Sequence, residues 1–313
     1  MRTIGSLLRA GCAFLLVALA GCAGTPGPAV GPLERALDEA LRRGSWQDLR
    51  IDTECETPEG FRAATVYSSG VGVWNRKRQL RLSQQEVVAL LREFQAVRFP
   101  RLQETYGTGE EMDADVELTC SVRLELDGAA RRVVQLSRGE RSRELERLAE
   151  HILEVAEEAG RAGPGAPSLT AGLDAIARGE LAPELLTIHV LRRGEASGAA
   201  GGWRFRLEDN RVSLERDREA PQSFRLEPAE VAALAGRLAA ERPEDLPANL
   251  WAPDYTDLQI GVLDHARSIQ ARQFAGMTPA THGEQQQRFD RLWALLDGLR
   301  QRLTAGTAEA GKT

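Results

Sequence analysis

Apolar residues recur at helical spacing in two stretches that read alike, "LERALDEALRRG" from Leu33 and "LTAGLDAIARG" from Leu169. Leu33, Ala36, Leu37 and Ala40 in one, and Leu169, Gly172, Leu173 and Ile176 in the other, fall along one face of a helix. A second pair follows in the same order. "RLSQQEVVALL" from Arg81 matches "RLEPAEVAALA" from Arg225, with stripes Val87-Leu90-Leu91-Phe94 and Val231-Leu234-Ala235-Leu238. Ser83 with Glu86 predicts a capping box, and Pro228 suits the first turn of the matching helix. Each helix leads to a proline, Pro100 or Pro243, and then to a loop carrying Tyr106 or Tyr255.

Alternation replaces helical spacing after those loops. Val116, Leu118, Cys120, Val122 and Leu124 alternate with polar residues, as do Leu258, Ile260 and Val262, so each strand should bury one face. Asp127-Gly128 predicts a hairpin turn, with Asp264-His265 at the matching place. Closing helices follow, lined by Leu145, Leu148, Ile152 and Leu153, and by Phe289, Leu292, Trp293, Leu296 and Leu299. Further strands are expected over 49–55, 61–74 and 79–82, and over 185–191, 203–207 and 211–214. Each copy thus reads helix, three strands, helix, two strands, helix. The fold class expected is α+β: two tandem homologous units, each a mostly antiparallel sheet with helices packed on one face. The first unit should span 33–160 and the second 161–304, meeting at "AGRAGPGAP", with residues 305–313 as a disordered tail.

Upstream of the repeats, Arg2 and Arg9 precede the apolar run Ala10 to Ala20, the layout of a signal peptide. That run is shorter than the roughly 20 apolar residues a membrane span requires. It ends in Leu19-Ala20-Gly21-Cys22, which resembles the processing box of bacterial lipoproteins. The resemblance implies that residues 1–21 are removed, that the Cys22 sulfur carries a diacylglycerol, and that its new amine is acylated, palmitate being a typical chain. The competing reading is an ordinary secretory peptide with an incidental cysteine. Several acyl chains, each worth ~0.8 kcal/mol per buried CH₂, would hold the protein to a membrane almost permanently. With Ala23 rather than an aspartate after the anchor, the expected site is the outer membrane, facing the periplasm. Residues 22–32 then form anchor and tether, since prolines 26, 28 and 32 oppose helix and strand.

An oxidising compartment changes the reading of the two cysteines left, Cys55 and Cys120. Both fall in expected strands of the first unit, and a structural disulfide is expected. A redox pair is the alternative, but the Cys-x-x-Cys spacing is missing. Val262 stands where the second copy would need Cys120, so the fold does not depend on the bridge.

Composition is that of an ordinary globular protein, 42% hydrophobic and 27% charged, with net charge −6. That balance gives no reason to expect nucleic acid as a partner. The basic cluster Arg76, Lys77, Arg78 and Arg81 lacks interleaved stacking aromatics and reads as a solvated turn. His151, His189, His265 and His282 show no helical metal spacing and read as solvated or locally hydrogen-bonded. "GTGEEMDAD", residues 107–115, gathers carboxylates that could hold calcium but lacks the spacing of a calcium loop. "GEASGAAGG", residues 194–202, lacks the lysine of a phosphate loop and reads as a hairpin connection. Neither metal nor cofactor is expected, and no catalytic motif is recognised.

The second copy, "LTIHVLRRGEASGAAGGWRFRLEDNRVSL" through "DYTDLQIGVLDHARSIQA", resembles emfourin-type inhibitors of thermolysin-like proteases. The likeness rests on the opening strand, the glycine-bearing loop and Asp254-Tyr255 before an alternating strand; it implies a small α+β domain and assigns no inhibitory residue. The function expected is a non-catalytic binding or interaction module. It would be held to the membrane through the Cys22 lipid and directed at a protein or other envelope partner. A metalloprotease inhibitor and an unrecognised envelope enzyme are the alternatives.

Overall fold

The structure, a computed structural model, describes residues 31–57, 60–107, 118–136, 139–194, 202–216, 219–273, 278, 280–281 and 283–310. Cys22 and His282 lie outside them, as do most of the acidic loop at 107–115 and of the glycine loop at 194–202. The first unit runs α1 (Pro32–Arg43), β1 (Leu49–Thr57), β2 (Gly60–Tyr67), β3 (Val71–Trp74), β4 (Arg78–Arg81), α2 (Gln84–Ala96), β5 (Thr105–Tyr106), β6 (Leu118–Leu126), β7 (Ala129–Leu136) and α3 (Arg143–Gly160). The second repeats it as α4 (Leu169–Ala177), β8 (Leu186–Arg193), β9 (Trp203–Glu208), β10 (Arg211–Arg216), β11 (Gln222–Arg225), α5 (Pro228–Ala240), β12 (Asn249–Leu250), β13 (Tyr255–Val262), β14 (His265–Ala271) and α6 (Glu284–Ala310).

Each unit builds a seven-stranded sheet, ordered β4-β3-β2-β1-β6-β7-β5 and β11-β10-β9-β8-β13-β14-β12. The two orders match place for place. All pairings are antiparallel except those of the two-residue strands β5 and β12, which run parallel to β7 and β14. The fold is α+β, two similar units of sheet and helices. Alternation decides which face is covered. Leu49, Ile51, Val122, Leu124 and Leu126 are buried beneath α1, α2 and α3, as Ile188, Phe205, Leu207, Leu258 and Ile260 are beneath α4, α5 and α6. The capping box forms: the Glu86 carboxylate accepts from the Ser83 backbone N–H at 2.7 Å, and the Ser83 hydroxyl accepts from the Glu86 N–H. Each central helix ends in a left-handed residue, Arg98 or Arg242, and then a 3₁₀ turn at Phe99–Arg101 or Pro243–Asp245.

Four strands precede each central helix, one more than the pattern predicts. In the first unit the run 61–74 is broken by a turn at Gly70, whose φ of 79° suits glycine. In the second, β11 reads "QSFR" and carries too little apolar alternation to signal a strand. Helix α6 continues to Ala310, so residues 305–310 of the segment expected to be a disordered tail are helical, because the alanines in "TAGTAEA" favour helix. Cys55 and Cys120 sit directly opposite each other on β1 and β6 and form a disulfide.

The two units share a core boundary. Tyr67 and Val71, from the ends of β2 and β3, belong to the second unit's hydrophobic cluster rather than their own. The linker also does more than connect. Pro164 O accepts from the N–H of Gln79 on edge strand β4, at 2.9 Å, so the linker covers an edge that would otherwise be open. The Gln79 side-chain oxygen accepts from the Ala182 N–H of the second unit at 2.7 Å.

Candidate functional site

The face of each sheet that carries no helices is polar, and where the two polar faces meet they enclose a cleft of about 370 Å³. Its lining includes Asp48, Arg50, Arg123 and Glu125 from the first unit and His189, Arg206, Glu208 and Arg211 from the second. Strand period puts them there: Arg50 alternates with buried Leu49 and Ile51, Arg206 and Glu208 with buried Phe205 and Leu207.

Glu208 is the hinge of the arrangement. Arg50 donates to it across the units at 2.7 Å, and His189 Nε2 donates at 2.7 Å from the neighbouring strand. Arg50 also grips Asp52 at 2.8 Å, which accepts in turn from the Thr65 hydroxyl at 2.9 Å. The Arg50 guanidinium stands 5.9 Å from the Tyr67 ring centre. A second inter-unit ion pair joins Arg211 to Asp48. Burial alone would raise the Glu208 carboxyl, but the His189 hydrogen bond and the Arg50 charge outweigh it and hold the group at about 2. Burial opposes the Arg50 charge, and Asp52, Tyr67 and Glu208 more than restore it, raising its pKa. Burial raises the Tyr67 hydroxyl well above its usual range, and Arg50 only partly offsets this.

Asp209 behaves in the opposite way. It opens the Asp209-Asn210 turn between β9 and β10, both residues at positive φ, as a two-residue hairpin requires. Burial first, and then the Glu184 charge, push its carboxyl up to about 7, despite Arg225, Arg50 and a hydrogen bond with Ser68. Between 3.8 and 7 the folded state therefore holds a proton that the unfolded state has released, so this group favours folding at acid pH and opposes it above 7. Asp209→Asn keeps the turn and removes the charge. Urea unfolding should show the variant more stable than the parent by on the order of 2 kcal/mol at pH 8, a gain that fades as pH falls toward 4.

The sequence-derived candidates are otherwise spread apart. The Cys55–Cys120 bridge borders a separate pocket with Arg62, Gln135 and Arg141. His151 lies on α3, and His265 Nε2 donates to Ala166 O at 2.9 Å. Arg76 pairs with Glu54 at 3.1 Å and covers the Phe61 ring at 4.9 Å; Arg78 bonds the linker carbonyl of Gly163. Asp254, singled out in the sequence, is buried and paired with Arg192 at 2.9 Å. Arg192 in turn lies over Trp293, which stacks on Trp203, beneath Arg300. That ladder fastens α6 to the sheet. Of the three described histidines, His151, His189 and His265, only His189 enters the cleft. Arg50, Arg206, Glu208 and Arg211 were missed because, as charges on strands, they look like any solvent face, and Asp209 because it looks like an ordinary turn residue. Among the described residues no group of three metal-ligating side chains comes together.

A scan of protein-family models and a search of curated proteins found no match to this chain.

Proposed function

We propose that this protein is a lipid-anchored envelope protein that binds a ligand or partner in the cleft between its two units, without transforming it. The observation that carries the binding role is Glu208, held at 2.7 Å by Arg50 of one unit and by His189 of the other. Such mutual pairing fixes charged side chains in place before a ligand arrives, which lowers the ordering cost of recognition. The anchor rests on Leu19-Ala20-Gly21-Cys22, and it would place the cleft on the periplasmic side of the outer membrane, tethered through residues 22–32.

Cell fractionation tests the placement. The full chain should sediment with membranes and carry acyl mass on Cys22, whereas Cys22→Ser should appear in the soluble envelope fraction. An unmodified Cys22 in protein recovered from the cytoplasm would overturn it.

A further inference from the structure

Four arginines and four carboxylates line the cleft, but they are not paired one to one, and the uneven pairing says what the cleft would hold. Its acids are spoken for: Asp48 by Arg211, Glu125 by Arg123 at 2.8 Å, Glu208 by Arg50 and His189, and Asp209 by the Ser68 hydrogen bond and the charges of Arg225 and Arg50. Arg50 has Asp52 as well. Among the described residues, Arg206 is the lining cation that no acid neutralises, and its side chain is exposed to the cleft.

Register sets polar side chains beside it. His189 on β8 faces Arg206 on β9, which faces Ser213 on β10, which faces Ser223 on β11. The first three of these line the cleft. A hydroxyl and an imidazole flank a guanidinium in a row across adjacent strands, on a sheet rather than a loop. A guanidinium presents paired N–H donors that match the two oxygens of a carboxylate or phosphate. Resting on the reading of the cleft as a binding site, we propose that it takes a small anionic ligand, whose carboxylate or phosphate group sits on Arg206 and Ser213 beside His189. The cleft volume of about 370 Å³ suits a compact molecule rather than a polymer.

The test uses ¹⁵N-labelled chain at constant ionic strength, titrated with inorganic phosphate, succinate, spermidine and glucose. Phosphate or succinate should shift the amide signals of β9 and β10 in a saturable way, and Arg206→Ala should weaken that binding at least about tenfold with an unchanged melting temperature. Arg147→Ala, an exposed cation on α3, should bind as the parent does. Saturable anion shifts that survive Arg206→Ala would overturn the proposal. Shifts in the cleft from spermidine or glucose but neither anion would overturn the anionic ligand while sparing the cleft as a binding site. If no probe shifts the cleft signals, both fall.

Discussion

Tyr67→Ala should cost about 3–4 kcal/mol of stability and loosen the second unit from the first, although Tyr67 belongs to the first unit's sheet. Its ring is 6% exposed and packs in the cluster built by α4, β8 and β9, where Leu173, Leu186 and Leu207 are also buried. Truncation leaves a hole in that cluster and strips the Arg50 guanidinium of the ring beside it. Arg50 is half of the inter-unit pair with Glu208, so the damage reaches the cleft. Tyr67→Phe keeps the ring and should lie within about 1 kcal/mol of the parent. Denaturant unfolding, followed by tryptophan fluorescence, reads both variants. The outcome that would count against the account is a Tyr67→Ala protein as stable as the parent.

Reduction of the Cys55–Cys120 bridge should cost about 4 kcal/mol in the chain-entropy model, because the bonded residues are 65 apart in sequence. The cross-link lies in the first unit, but in one cooperative body the loss should lower the stability of the whole chain. By register the second unit has Thr256, not the expected Val262, where Cys120 stands, paired with Arg192 where Cys55 stands, and it holds its sheet together by the buried row Leu258, Ile260 and Val262. Unfolding with and without a reductant, compared with Cys55→Ala/Cys120→Ala, separates loss of the cross-link from side effects of the reagent. A chain equally stable in all three conditions would remove the bridge from any account of stability.

The repeat was legible in the sequence because both copies bury the same stripes, Val87-Leu90-Leu91-Phe94 and Val231-Leu234-Ala235-Leu238, and burial demands periodicity. The bridge was legible because Cys55 and Cys120 were the cysteines left to pair. The cleft was not. Arg50 and Glu208 stand 158 residues apart, and each looks solvated within its own strand. Their meeting depends on how two finished sheets pack, which no local pattern encodes. One trace was available: Val66 and Tyr67 are adjacent apolar residues at a strand end, and both are buried. Consecutive burial on a strand means both faces are covered at that point, here by the first unit's helices and by the second unit. β11 escaped notice for the converse reason, since its side chains are half-buried or exposed.

The central claim is that two similar units form one body and so create the cleft. Differential scanning calorimetry of the oxidised full chain tests it most directly. One transition with equal calorimetric and van't Hoff enthalpies is the predicted result. Two transitions, with the second unit melting at the same temperature whether or not Tyr67 is intact, would contradict it.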